Sequence, residues 1–222
     1  MKILVCISCV PDTTSKISFI DNKLFNSDGV QYIIGPYEDY ALARAVELKE
    51  SNSDIDISVI NVGKESTEPI LRKALAIGAD RAFRINLEPK DSISVAKYLK
   101  KFIDENSFDL ILMGKESIDY NSGNVHHLVG AMLNITSFSP VTFLEVDGEF
   151  IILKRETDIG IEKIKTKLPL VLGCQEPIAE WKIPNMRGIM NARSKELKVL
   201  NYDEADSVIS FDNYSVPTKK DE

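Results

Sequence analysis

Short apolar runs alternate with segments of helical periodicity from Lys2 to Leu133. We predict strands where apolar residues follow one another up to a turn, and helices where they recur every three or four positions. The predicted strands are Lys2–Ser8, Ile55–Val62, Arg81–Asn86 and Phe108–Met113. The predicted helices are Tyr37–Glu50, Ser66–Ile77, Ser92–Glu105 and Asn124–Leu133. This alternation indicates an α/β fold with a mainly parallel, doubly wound, Rossmann-like sheet.

A different pattern follows this alternation. Asp147-Gly148 separates Val141–Val146 from Glu149–Arg155, and Asp-Gly favours a two-residue hairpin turn. An antiparallel hairpin is therefore predicted near 141–155. Shorter elements are predicted as candidate strands around Ile17–Ile20, Val30–Ile34, Ile161–Lys167 and Leu170–Gly173, and as one helix near 186–193 in an otherwise irregular stretch after Pro177.

Residues 1–200 are expected to form one domain, followed by a polar C-terminal arm at 201–222. The apolar residues of the arm are too scattered to form a core; they are Val208, Ile209, Phe211, Tyr214 and Val216. Such segments can wrap a partner at little cost per residue, so we expect the arm to clasp another subunit.

Composition and charge narrow the classes of function. The chain has 222 residues, of which 44% are hydrophobic and 27% charged, as a folded domain requires. Its net charge of −7 disfavours a nucleic-acid partner, because phosphate binding needs a clustered basic surface. No apolar run approaches the ~18 residues of a membrane span, and Met1 leads directly into a strand without a leader pattern.

The three cysteines, Cys6, Cys9 and Cys174, are too few and odd in number for a disulfide scaffold, so a cytoplasmic location is expected. Cys6 and Cys9 have CxxC spacing, but Cys6 lies inside a predicted strand rather than at a helix N-terminus. A redox role is therefore disfavoured, and Cys6 is interpreted as a core or pocket-lining residue.

Ligands of parallel sheets bind beyond the carboxyl ends of the strands, which draws attention to segments 8–14, 35–39, 62–67 and 113–125. The tetrapeptide Gly-Lys-Glu-Ser occurs at 63–66 and again at 114–117. Glycine lets backbone N–H groups approach an anion, and the following helix N-terminus favours phosphate. Spacing alone favours simple turn and cap chemistry for 63–66. It leaves both interpretations open for 114–125, which is longer than a plain βα loop.

Several sharper motifs are missing from the sequence. It contains no Gly-x-Gly-x-x-Gly, neither Gly-Lys-Glu-Ser completes a Walker A loop, and no serine nucleophile elbow is found. The only histidines, His126 and His127, are adjacent, and no metal-spaced ligand joins them, so a metal site is not expected. A nucleotide contact or a surface position is the default interpretation of the pair.

Charged residues are dense between Lys154 and Glu162. The segment is either a solvated strand edge, where lysine discourages aggregation, or a docking edge for another subunit. Composition leaves both interpretations open.

Six blocks in order resemble the beta (small) subunit of electron-transfer flavoproteins, over Lys2 to about Leu200. The blocks are Lys2–Thr13, Gly35–Leu42 with Ala45–Lys49, Leu71–Arg81, Asp109–Asp119, Lys154–Pro169, and Ile183-Pro184-Asn185 with Met190 and Ala192. Any one block alone is weak evidence for the family, whereas six blocks in this order are specific to it.

The resemblance implies a fold related to adenine-nucleotide alpha-hydrolase-like domains and a heterodimer whose alpha subunit holds most of the FAD. The beta subunit would bind AMP structurally, or a second FAD in electron-bifurcating members that oxidise NADH. The implied nucleotide-binding residues are Cys6, Gly35, Pro36, Tyr37, Glu38, Val62, Gly114, Lys115, Glu116, Ser117, Ile118, Asp119, Tyr120, Asn121, Ser122, Gly123, Asn124 and Val125.

The resemblance also implies protein partners. Electrons would come from acyl-CoA and related dehydrogenases, as in fatty-acid β-oxidation, and pass to a membrane quinone oxidoreductase. The recognition loop for dehydrogenases corresponds to about 179–193, with Ile183 as an apolar anchor beside Pro184 and Asn185. The chain itself would be an electron carrier subunit with no catalytic residue. A stand-alone adenine-nucleotide-binding domain of the same fold is a further alternative.

Two positions depart from the family pattern. Gly35-Pro36 replaces an Asn-Pro, which removes an amide that could bind the nucleotide. Asp158-Ile159-Gly160 replaces an Asp-Gly-Gly, and because a β-branched residue resists a positive φ, we expect a different turn there.

Overall fold

A computed structural model describes residues 1–216 and contains one large mixed sheet flanked by helices. In chain order the strands are β1 (Lys2–Cys6), β2 (Cys9–Pro11), β3 (Phe19–Ile20), β4 (Leu24–Phe25), β5 (Tyr32–Ile34), β6 (Asp56–Val62), β7 (Arg81–Ile85), β8 (Leu110–Gly114), β9 (Thr136–Asp147), β10 (Phe150–Thr157), β11 (Gly160–Thr166), β12 (Leu170–Cys174) and β13 (Leu197–Leu200). The helices are α1 (Pro36–Ser51), α2 (Glu68–Ile77), α3 (Ser92–Glu105), α4 (Val125–Leu133) and α5 (Met186–Ala192). The predicted α/β class is confirmed.

The strand order of the large sheet is β11-β10-β9-β12-β8-β1-β6-β7-β13. All neighbours from β9 to β13 pair in parallel, whereas β10 and β11 are antiparallel additions at one edge. β1 lies between β8 and β6, and its Ile3, Leu4 and Val5 are fully buried. A continuous apolar run is what a central strand covered on both faces requires.

Helices cover both faces of this sheet. Ile3 and Val5 point into a core shared with α1, α2 and α5, while Leu4 and Cys6 point into a second core shared with α3 and α4. Successive side chains of a strand face opposite sides, so one strand contributes to both cores. The predicted doubly wound arrangement is therefore confirmed.

The predicted hairpin is present as β9 and β10, but β9 begins at Thr136 rather than at Val141. The first part of β9 pairs in parallel with β12, and the register shifts where Pro140 interrupts the ladder. Proline cannot donate a ladder hydrogen bond, so the sequence pattern on its N-terminal side did not indicate a strand.

The chain after Pro177 is less irregular than expected, because β13 adds a parallel strand beside β7. Only four residues form it, and its burial does not alternate cleanly, so no periodicity indicated it. Near the N-terminus, the candidate strand around Ile17–Ile20 shortens to β3 and pairs with β4. The candidate around Val30–Ile34 shortens to β5 and pairs with β2.

The turn at Asp158-Ile159-Gly160, the second departure from the family pattern, has its positive φ at Gly160. Gly160 has a φ of 142°, whereas Ile159 is not among the described residues with positive φ. The turn between β10 and β11 therefore places its unusual backbone conformation on glycine, and Ile159 stands almost fully exposed beside it.

No helix in the stretch from residue 1 to residue 216 has the length and apolar character that crossing a membrane requires.

Candidate functional site

A cavity of about 740 Å³ opens beyond the carboxyl ends of the central parallel strands. Cys6 ends β1, Val62 ends β6 and Gly114 ends β8, and all three residues line the cavity. Its volume falls within the range of about 300–1,000 Å³ that small-molecule sites occupy. The cavity lies at the strand ends, where the strand-end rule places the ligands of parallel sheets.

The structure brings about half of the predicted nucleotide residues into the cavity wall. The lining members are Cys6, Glu38, Val62, Gly114, Ser117, Asp119, Tyr120, Ser122, Asn124 and Val125. The remaining predicted residues do not line it; they are Gly35, Pro36, Tyr37, Lys115, Glu116, Ile118, Asn121 and Gly123. Lys115 lies over the ring of Tyr37 instead, with its Nζ 4.8 Å from the ring centroid.

Glu38 is the most buried charged group of the wall. Its Oε1 accepts a hydrogen bond of 2.5 Å from Ser8 Oγ, while its Oε2 is buried without a partner within residues 1–216. Burial raises the pKa of Glu38 to about 7, and the hydrogen bond from Ser8 only partly offsets this. Near neutral pH this carboxyl can therefore accept a hydrogen bond or, when protonated, donate one.

Two glycines make room for Glu38. A Cβ on Gly35 would lie 2.5 Å from Ser8 Oγ and 2.8 Å from Glu38 Cδ, and a Cβ on Gly114 would lie 2.8 Å from Glu38 Cδ. The residue at position 35 thus cannot carry a side chain while Glu38 occupies its place. The family pattern would place an asparagine amide at position 35; here that side chain is absent, and the Glu38 carboxyl occupies the space next to it.

Asn61 and His126 present two more buried polar atoms. Asn61 Nδ2 donates to the Ile7 carbonyl at 2.9 Å, which leaves its buried Oδ1 as an acceptor without a partner in the described chain. His126 Nε2 is likewise buried and unpartnered among these residues. Burial lowers the pKa of His126 to about 4, with His127 adding to the effect, so the ring is neutral at pH 7.

The unpartnered atoms of Glu38, Asn61 and His126 bear on the kind of ligand that the cavity can bind. Residues 1–216 contain four buried side-chain polar atoms without a hydrogen-bond partner, and the residues of three of them line this one cavity. An unsatisfied buried polar atom costs about 1–3 kcal/mol. Polar side chains of Glu38, Asn61 and His126 in one wall favour a ligand with hydrogen-bonding groups.

The N-terminus of α4 supplies an anion-compatible end of the cavity. Asn124 precedes the helix but makes no side-chain cap hydrogen bond, so the first-turn N–H groups stay available to a ligand. Gly63, Lys64 and Ser66 of the other Gly-Lys-Glu-Ser also line the cavity. The tetrapeptide at 63–66 therefore also lines the cavity, although spacing alone favoured simple turn and cap chemistry for it.

Besides single residues such as Ser27, Tyr32 and Asn61, sequence reasoning missed two segments of the wall. One is segment 88–92, which follows β7 and therefore also lies at a strand end, so the same rule could have identified it. The other consists of Ile209 and Phe211 on the C-terminal arm. No local pattern placed these residues near the strand ends, because the arm reaches them across a large separation in sequence.

The cysteines in the wall are poorly suited to redox chemistry. Burial raises the pKa of Cys6, and it raises the pKa of Cys9 to about 11, with Asp119 adding to the effect. Reactive thiols need the opposite shift, because the thiolate is the nucleophile. All three cysteines are free in the structure.

The predicted recognition loop exposes apolar side chains on the surface. Ile183 is 90% exposed, and Trp181, the only tryptophan of the chain, lies nearby with its ring 5.8 Å from that of Tyr40. Asn185 has a structural role, because its Oδ1 accepts from Gly188 N at 2.8 Å and caps α5. Large exposed apolar side chains gathered in one loop indicate a protein-binding surface.

The charged segment Lys154–Glu162 forms the end of β10 and the start of β11, the outermost strand of the large sheet. Arg155 pairs with Glu162 across the two strands at 2.7 Å. Within residues 1–216, no three histidine, cysteine or carboxylate side chains lie together in a group that could hold a metal ion.

Comparisons with known proteins point to one family. A family model described as electron transfer flavoprotein domain matches residues 23–205. The electron transfer flavoprotein subunit beta of Bacillus subtilis (strain 168) is 36% identical over 210 residues, which cover 93% of this chain and 81% of that protein. The subunit of that name from Syntrophomonas wolfei is 30% identical, covering 99% and 87% of the two chains. The human subunit is 26% identical, covering 90% and 81%.

Proposed function

Because this chain belongs to the beta subunits of the electron transfer flavoproteins, we propose that its strand-end cavity binds AMP as a structural nucleotide in a heterodimer with an alpha subunit. The chain is an electron-transfer subunit by family. The observation that carries the nucleotide proposal is the convergence of Glu38, Asn61 and His126 on one cavity, each with an unpartnered buried atom in the described chain.

The donors and acceptors of the wall match those of a nucleotide. Asn61 Oδ1 can accept only from an N–H or O–H, as an exocyclic amine or a ribose hydroxyl provides. The open N-terminus of α4 suits the phosphate, and Lys64 adds a positive charge to the wall. FAD, held mainly by the alpha subunit, would supply the redox chemistry of the complex.

Three surfaces of the chain are suited to protein partners. We assign the loop at 179–193, with Ile183 exposed at its tip, to acyl-CoA dehydrogenases that donate electrons, as in fatty-acid β-oxidation. The edge formed by Lys154–Glu162 and the arm at 201–222 are assigned to the alpha subunit; residues 217–222 of the arm lie outside the described residues. Electrons would leave the complex to a membrane quinone oxidoreductase. Three free cysteines are consistent with a cytoplasmic location.

The volume of the cavity favours a second candidate. A mononucleotide fills only part of about 740 Å³, whereas a dinucleotide such as FAD would use more of that space. A second FAD here would make the complex a bifurcating type that oxidises NADH.

Analysis of the released nucleotides separates these functions. The chain is produced together with its alpha subunit, the complex is denatured, and the nucleotides are identified by chromatography and mass spectrometry. We expect one FAD and one AMP per heterodimer. Two FAD and no AMP would support the bifurcating type, and the absence of any nucleotide from this subunit would overturn the proposed function.

A further inference from the structure

The C-terminal arm runs back across its own chain and crosses the mouth of the cavity. Ile209 and Phe211 line the cavity, although each remains about half exposed, at 53% and 50%. These two side chains add an outer wall to the cavity. The arm is therefore a wall of the site that the chain supplies from its far end.

Asp91 fastens the arm on one side of the mouth. Its Oδ2 accepts from Ser207 Oγ at 2.6 Å and from Val208 N at 2.9 Å, while its Oδ1 caps α3 by accepting from Ser94 N at 2.7 Å. Partial desolvation acts to raise the pKa of Asp91, but these hydrogen bonds hold it well below its usual range. The carboxylate therefore stays ionised, and a charged acceptor makes the stronger hydrogen bonds.

Two further contacts, one from α3 and one from just before it, hold the preceding residues of the arm. Ala205 N donates to Tyr98 Oη at 2.7 Å, and Lys90 pairs with Glu204 at 2.7 Å. These contacts position the arm just before it reaches the cavity.

An aromatic cluster fastens the arm on the opposite side. Tyr214 stacks on Phe19 with ring centroids 5.0 Å apart, and its N–H donates to the Asn22 carbonyl at 2.8 Å. Phe211 lies between Tyr214 and Tyr120, at 5.6 and 6.2 Å from their rings. Tyr120 belongs to the loop at 114–125 that also lines the cavity, so the arm joins two walls of the site.

We propose that this arm completes the nucleotide site, with Phe211 and Ile209 contacting the bound nucleotide, and that the nucleotide exchanges only when the arm lifts from Asp91 and Phe19. The inference rests on the nucleotide binding proposed above and adds the residues that govern its exchange. The arm is an exposed segment held by a few hydrogen bonds, one ion pair and aromatic contacts, so it can open without unfolding the sheet beneath it.

Because Ile209 and Phe211 are each about half exposed, a partner that covers the arm can also affect nucleotide release. An alpha subunit that packs over the arm would press it onto the cavity. We therefore expect the nucleotide to leave the heterodimer more slowly than the isolated chain.

The test measures release of a bound fluorescent nucleotide, etheno-AMP, from the heterodimer after addition of excess AMP. Phe211→Ala removes the aromatic side chain that the arm adds to the cavity wall. The two hydrogen bonds by which Asp91 holds the arm form a latch, and Ser207→Ala removes one of them. We expect Phe211→Ala to speed release about ten-fold, which corresponds to about 1.4 kcal/mol, and Ser207→Ala about three-fold. Asp212→Ala changes an exposed neighbour that is not part of the cavity wall, and it should leave the rate unchanged.

Two outcomes would overturn the proposal in distinguishable ways. If etheno-AMP binds and all three variants release it at the wild-type rate, the arm is not a lid and the proposed nucleotide site stands. If the wild-type complex binds neither etheno-AMP nor AMP, the proposed function fails, and the lid fails with it. Circular dichroism and assembly with the alpha subunit establish that each variant is folded.

Discussion

The inner and outer walls of the cavity are built from different kinds of sequence. The inner wall, formed by Glu38, Asn61, Gly114 and His126, is attached to buried strands and to helices packed on them. The outer wall, formed by Ile209 and Phe211, belongs to an exposed arm without helix or strand. A rigid inner wall can select the ligand by unsatisfied polar atoms, while a loosely held outer wall can admit and release it.

The largest expected effect concerns the buried carboxyl of the inner wall. The pKa of Glu38 is raised from 4.5 to about 7 in the folded chain, so the folded state holds a proton that the unfolded state loses at lower pH. The resulting stabilisation is fully present below about pH 4.5 and is lost as the pH rises to about 7, a change of about 3 kcal/mol. Because the lowered pKa of His126 makes stability rise by a similar amount between about pH 4 and 6.5, the fall is measured as the difference between the wild type and Glu38→Gln in urea unfolding from pH 4.5 to 8.

Glu38→Gln should lose this part of the pH dependence, because its side chain does not titrate. Parallel curves for the variant and the wild type would show that Glu38 is not the buried proton carrier.

Gly114→Ala should strain the inner wall. The added Cβ would lie 2.8 Å from Tyr37 Cβ and from Glu38 Cδ, and overpacking of this kind costs about 1–3 kcal/mol. The free energy of unfolding from denaturant titration measures the loss. Gly123→Ala is the matched control, because its Cβ would meet nothing nearer than 3.4 Å, and a similar loss there would contradict the close approach at Gly114.

Asp91→Ala separates the helix cap from the latch of the arm. Loss of an N-cap side chain costs about 1 kcal/mol of stability, and loss of both arm hydrogen bonds should also expose residues 203–214 to protease. Ser94→Ala removes the hydrogen bonds between the Ser94 hydroxyl and the Asp91 backbone, and it leaves the hydrogen bonds between Asp91 and the arm intact. Equal rates of arm cleavage in the two variants would show that Asp91 does not hold the arm.

Tyr214→Ala should have the smallest effect on the fold. It removes an aromatic stack worth about 0.5–1.5 kcal/mol that fastens the arm alone. We expect faster cleavage of the arm with an unchanged midpoint of global unfolding, as seen by circular dichroism. A lowered midpoint would mean that the outer wall supports the sheet and would remove the contrast between the two walls.

The same contrast explains what the sequence could predict. The central strands were recognisable because apolar runs covered on both faces have few alternatives. The strand-end rule then drew attention to the segments that contain Val62 and Gly114, whereas Cys6 was implied by the family resemblance. Asn61 was missed, although a polar residue within the run Ile55–Val62 is a signal of its own. His126 was left between two interpretations because adjacent histidines give no periodic cue.

The outer wall could not be predicted in this way. Phe211 reaches the cavity through contacts with residues far away in sequence, and no local pattern encodes such contacts. β13 escaped prediction for a related reason, since its four residues become a strand only because β7 presents an open edge.

The single tryptophan of the recognition loop gives this chain a built-in optical reporter. Trp181 is exposed, lies against Tyr40 and stands two residues from Ile183. Its emission should shift to shorter wavelength when a partner removes water from the loop, whereas nucleotide release beneath the arm should leave it unchanged. One unlabelled chain can thus report the docking of a protein at this loop separately from the occupancy of its cavity.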